Sequence, residues 1–244
     1  MSLVPNSALP TASDADLAVE MPSVYSLYAA LTASLEPAHG LGGRLVYAGR
    51  LDAAGSRLLR AANIAGAASL TVSNAAADLR LAVREGVADF LVTSLDEALR
   101  ILKNEIRKRQ PVAVAICAEP REVGEQMMLR GVQPDLLTPH PAAVEPLCAY
   151  ASFLARGAQS LQLASISPEP ALRIWPVPAA WAQRTSQLDA LLLAQLPAET
   201  HTARRWLRLA PRYLGAKARR LRSVACDDAT ASKIEAILAS APTT

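Results

Sequence analysis

The run Pro111-Val112-Ala113-Val114-Ala115-Ile116-Cys117 contains no polar side chain, and that constrains the fold more than any other stretch of the chain. A strand apolar on both faces must be covered on both faces, which is the habit of a parallel sheet between helical layers. Its flanks agree. Thr93-Ser94-Leu95-Asp96-Glu97 opens a helix running to about Arg109, with Thr93 or Ser94 as cap, acids in the first turn and bases in the last. Glu122 to Arg130 reads as a helix that Gly131 stops, and Asp135 to Thr138 as the next strand.

The same alternation holds on either side. Arg44 to Ala48 and Ala68 to Val72 are short apolar strands around a helix from Gly55 to Ile64, and Val87 to Val92 is a further strand. Ala142 to Ala155 is helical. Strand and helix in turn at short spacing predict a doubly wound α/β sheet with helices on both faces and right-handed crossovers. The predicted organisation is a flexible arm over residues 1–21, an α/β core over 22–155 that starts with a helix from Pro22 to Leu35, a proline-containing connection over 156–178, and a helical extension over 179–240 that returns to the core. In the extension, Leu188 to Leu196 and Pro197 to Leu209 are helices, Arg222 to Cys226 is a returning strand, and Asp227 or Asp228 caps a last helix through Leu238.

A chain of 244 residues that is 51% hydrophobic is large enough to bury a core and too apolar to be disordered. Its three cysteines, Cys117, Cys148 and Cys226, are odd in number and in no metal spacing, which predicts a reducing, cytoplasmic setting. No run is long enough for a membrane span, and the N-terminus does not read as a signal peptide.

In such a sheet, ligands bind beyond the carboxyl ends of the strands. The first loop, Gly49 to Ser56, offers Gly49, Arg50, Gly55 and Ser56 as cofactor-binding candidates, though it lacks the glycine fingerprint of a dinucleotide site. The second strand ends at Ser73, where a ribose-binding acid is usual. Glu119 and His140, each just beyond a strand end, are the weak catalytic candidates. His39 and His201 lack a partner at metal or triad spacing, and no metal is expected. Cys117 and Cys148 read as core; Cys226, beside two aspartates, is a poor nucleophile.

Residues 204–222 carry eight positive charges and no acid, so a chain of net +3 holds −5 elsewhere. Arg204 to Arg222 is read as a solvated or ion-paired face, and nucleic acid is not the expected partner. The apolar face from Leu188 to Leu196 has no obvious cover in so small a chain, which predicts a homodimer.

Several of these segments together resemble the central domain of urocanase (urocanate hydratase). The most specific is Arg130-Gly131-Val132-Gln133-Pro134-Asp135-Leu136-Leu137-Thr138, which resembles RGVRPDLVT of that family. Ser94 to Leu99 is similar to DLDEAL, and Glu145 to Tyr150 to DPLNGY. The similarity runs over about residues 43–150 and faintly over 204–228. It implies a Rossmann-like domain and, as cofactor, a tightly held NAD that acts as an electrophile toward urocanate.

The residues of that chemistry are mostly replaced. The family's glycine-rich loop keeps Gly49 and Gly55, its acid after the second strand falls on Ser73, an asparagine falls on Glu119, and the family's DQTSAHDP run becomes Pro139 to Pro146 around His140. The segment with GQMTAGSW has no counterpart. The resemblance therefore implies a stand-alone urocanase-like domain, a pseudoenzyme that binds an unknown small ligand or protein, with no cofactor expected. The alternatives are a urocanase-type, NAD-dependent hydratase or lyase, acting on another substrate or with a partner subunit, and a phosphosugar-binding domain. The last follows from Gly43 to Gly49, similar to the opening strand of sugar-isomerase domains, but their serine-rich phosphate loop is missing.

Overall fold

The computed structural model describes residues 12–49, 53–138, 148–164, 169–218 and 220–240. Six strands, β1 (Leu45–Gly49), β2 (Ala68–Ser73), β3 (Phe90–Val92), β4 (Val112–Cys117), β5 (Leu136–Leu137) and β6 (Gln159–Ser160), form one sheet in the order β3-β4-β2-β1-β5-β6. Every neighbouring pair is parallel. The predicted doubly wound, Rossmann-like α/β architecture is what the chain adopts.

Travel across the sheet decides which face each helix covers. From β1 the chain moves through α2 (Ala53–Ile64) to β2 and through α3 (Ala76–Arg84) to β3 at the edge. It then reverses through α4 (Leu95–Arg107), α5 (Pro120–Leu129) and α6 (Cys148–Ala155). With crossovers of one hand, reversal puts the two groups of helices on opposite faces. Side chains follow: Val112, Val114 and Ile116 of β4 pack with Leu95, Leu102, Val123 and Met127. Ala113 between them packs on the other side with Leu59, Ala62 and Ile64 of α2.

Four helices, α2, α3, α5 and α6, stop by one device. Gly66, Gly86, Gly131 and Gly157 have positive φ. After each, the next N–H returns to the carbonyl five residues back, as Val87 does to Ala82 and Val132 to Met127. This is the Schellman stop. After α4 the left-handed position is Arg109, at φ 56°. At the amino end of the sheet, Asp89 and Asp135, just before β3 and β5, accept from the neighbouring strands' N–H groups of Ala113 (2.8 Å) and Leu45 (2.7 Å).

Two expectations are corrected. The residues before Pro22 are not all a free arm: α1 spans Ala12–Thr32 with Pro22 inside it. A proline mid-helix removes one hydrogen bond, and here tertiary contacts offset that cost, with Met21 buried and Glu20 paired to Arg60. The region 156–178 is not only a connection, because it contributes β6 and also β7 (Leu172–Pro176). The expected returning strand over Arg222 to Cys226 is present as β8 (Leu221–Ala225), and it pairs antiparallel with β7 in a separate two-stranded sheet.

The extension is completed by α7 (Thr185–Ala194), α8 (His201–Tyr213), α9 (Gly215–Ala218) and α10 (Asp228–Ala239). Trp206, Ala210 and Tyr213 of α8 pack with α1 and α2. The apolar face that suggested a homodimer is covered from within. Leu188, Leu192 and Leu196 are buried with Trp181, Leu207, Ile234 and Leu238. That face therefore gives no ground for a dimer. Among the described residues no helix is long and apolar enough to cross a membrane.

Candidate functional site

The strand order reverses at β1, which the chain leaves toward β2 and whose other side is filled by β5. A crevice is expected at the carboxyl ends of this pair. On the β1 side, Gly49 has φ 58°, and the pairing register with β2 shifts between Tyr47 and Gly49. The Thr71 hydroxyl donates to the Gly49 carbonyl at 2.7 Å, which fixes the strand end. On the β5 side, the Thr138 N–H donates to the Tyr47 carbonyl at 3.3 Å, and the Tyr150 hydroxyl of α6 donates to the Thr138 carbonyl at 2.7 Å.

The flank of the rim, over β2 and β4, is internally paired. Ser73 Oγ accepts from the Ala75 N–H at 3.1 Å, and the Ser73 carbonyl accepts from the Ala118 N–H at 3.2 Å. Asn74 Nδ2 donates to Glu119 Oε2 at 2.7 Å, across the ends of the two strands. Glu119 stands at the N-cap of α5 without capping it, and Pro120 follows.

Of the sequence candidates, Gly49, Gly55 and Ser56 lie on one β1–α2 connection, the last two half-buried at the start of α2. Glu119 is on the same rim but turned to Asn74, a partner its sequence position did not single out. Arg50 and His140 lie outside the described residues. Nothing in the sequence sets Tyr47 and Tyr150 apart, because a tyrosine in an apolar stretch looks like packing. Cys117 is a half-buried free thiol; Cys226 is buried. Burial first, and Asp227 and Asp228 after it, push the Cys226 thiol up, although Arg173 opposes them. The side chain of Cys148 lies outside the described residues. His39 pairs with Glu36 in an exposed turn, and that hydrogen bond is the main cause holding the Glu36 carboxyl below its usual range. Among the described residues no three His, Cys, Asp or Glu side chains converge as a metal site.

A dinucleotide needs close backbone approach after the first strand and an acceptor for the ribose after the second. The second position is Ser73, whose oxygen is engaged by the Ala75 N–H, and the following Asn74 is engaged by Glu119. No carboxylate stands at either position.

Much of the basic run is internal structure. Arg204 donates to the Leu193 and Leu196 carbonyls at the end of α7, both at 2.7 Å. Arg205 donates to the Pro37 and Ala38 carbonyls at 2.6 and 2.8 Å. Arg212 pairs with Asp89 at 2.9 Å, and the buried Arg222 with Asp189 at 2.5 Å. Arg208 and Arg220 are exposed.

Residues 25–170 match the family model of the urocanase Rossmann-like domain. The matched span begins within α1 and contains all six parallel strands and the whole rim described above.

Proposed function

The chain belongs to the urocanase family, and from that premise we propose that it is a binding protein built on the family's Rossmann-like domain, without urocanate hydratase activity. The observation that carries this reading is the pairing of Glu119 with Asn74 beside the engaged Ser73. A general acid or base must be free to exchange a proton with a substrate. Here one oxygen of the carboxylate that follows β4 accepts from a neutral amide, not from a titratable partner that would relay a proton. The position after β2 carries no charge. What the chain shares with the family is the strand, turn and helix framework that positions a ligand at the β1–β5 opening.

Denaturing mass spectrometry of the freshly purified protein tests the reading. No released NAD is expected, and no loss of urocanate absorbance when the protein is incubated with it. NAD in near-stoichiometric amount would overturn the proposal in favour of a hydratase, to be assayed alone and with candidate partner subunits.

A further inference from the structure

An open cleft of about 660 Å³ lies at the amino ends of β3 and β4, against α4, a size that suits a small molecule. Phe90, Ile101, Pro111 and Val112 make one part of its lining apolar. Pro111 and Val112 are buried, but Phe90 is 46% exposed. Phe90 opens the edge strand of the sheet, so β4 covers one side of it and no strand covers the other among the described residues. An aromatic ring held open on the wall of a cleft is apolar surface that a bound molecule would take out of water.

The charges of the lining add a second, independent observation. Three charged side chains line the cleft, and two of them are neutralised by neighbours. Arg212 pairs with Asp89 at 2.9 Å, and Glu105 pairs with Lys108 at 3.0 Å. The exposed Arg100 forms no ion pair or hydrogen bond among the described residues. Asp96, one turn before it, is taken by Arg130, and Glu97 does not line the cleft. The lining therefore carries one uncompensated positive charge beside an apolar wall. Gln110 adds a neutral donor and acceptor. A dianion would bring one negative charge too many beside Glu105, and a neutral ligand would leave the guanidinium unused. The group that matches a single guanidinium is a carboxylate, which it meets through two parallel hydrogen bonds.

We propose that this cleft binds a small molecule with an apolar body and a single carboxylate, the carboxylate on Arg100 and the body against Phe90 and Ile101. It lies at the opposite ends of the strands from the β1–β5 opening, and the inference goes beyond the function proposed for that opening.

The probe is phenylacetate, with phenylacetamide as its uncharged counterpart, each titrated into the full chain by NMR. Wild type is expected to bind the acid about tenfold more tightly than the amide, the difference made by a charged hydrogen-bonding partner. Arg100→Gln should lose that preference and bind the amide as wild type does. Because the side chain is exposed, this variant should melt within about 2 °C of wild type. Phe90→Ser should weaken both probes about fivefold. Lys103 lines only the neighbouring cleft on the same side of α4, so Lys103→Gln should change neither. Equal loss of acid binding in the Lys103 and Arg100 variants would trace it to diffuse charge and overturn the proposal. So would the absence of acid binding by wild type at millimolar concentration. A dimer in light scattering that Phe90→Ser dissociates would assign the exposed ring to a contact between copies, and would also overturn it.

Discussion

Gly86 and Gly215 meet backbone to backbone, both with positive φ: a Cβ on Gly86 would lie 2.7 Å from the Gly215 nitrogen, and one on Gly215 would lie 2.7 Å from the Glu85 carbonyl oxygen. The contact locks the α3–β3 turn against the α8–α9 turn, and so joins the extension to the sheet. Alanine at either position meets rigid backbone as well as an unfavourable φ. Each substitution should cost about 3 kcal/mol, from strain and overpacking together. Gly131→Ala is the control, because nothing lies within 4 Å of its Cβ position. It should cost about 1 kcal/mol, the conformational part alone. Urea midpoints at constant slope separate the two outcomes.

Arg109 occupies a left-handed position that glycine fills after α2, α3, α5 and α6. Arg109→Gly should therefore stabilise the protein by about 0.5–1 kcal/mol, read as a higher thermal midpoint. The gain is held down by lost packing of the arginine stem, which lies so near the Gly42–Gly43 turn that a Cβ on Gly43 would be 3.4 Å from its Cγ.

Arg222 is 3% exposed at its side chain and forked onto Asp189. Arg222→Ala strands a partly buried carboxylate and should cost about 3–5 kcal/mol in chemical denaturation. Arg208→Ala, on the exposed face of α8, should stay within about 0.5 kcal/mol of wild type. Equal effects would refute the structural role assigned to the paired arginines.

Alkaline stability should fall through the tyrosines. Burial raises Tyr25 and Tyr47 to about 12 from 10.0, and raises Tyr28 and Tyr213 further. The folded state keeps protons that the unfolded state releases near pH 10. The contribution is thus complete below pH 10 and is lost as pH rises toward 12 and beyond. Each group adds a slope of about 1.4 kcal/mol per pH unit within its window. Denaturation midpoints at pH 9, 10 and 11, for wild type and Tyr25→Phe, measure that slope. The variant should show a shallower decline.

The parts of this fold legible in the sequence are those set by near neighbours. Ser94 caps α4 through the Glu97 N–H, and Asp227 caps α10 through the Thr230 N–H, as their spacing predicts. Helix α3 escaped notice because Leu79 alone of its nine residues is buried, which leaves no apolar period to read. Strand β7 escaped because it lies among prolines and finds its partner, β8, some fifty residues on. At the site, the sequence marked Gly49, Gly55, Ser56 and Glu119 by their places after strands. It did not mark Asn74, whose importance is a contact.

Alternation of apolar strands with capped helices determined the parallel sheet and its two helical layers, because hydrogen bonding within a helix and side-chain period along a strand are local. Tertiary structure alone decided how the long-range choices fell. It placed β8 beside β7, covered Leu188 and Leu192 with α10, and turned Arg204, Arg205, Arg212 and Arg222 inward. Each of these outcomes is a competition among faces far apart in the chain, settled by which pairing buries most apolar surface while satisfying its polar groups.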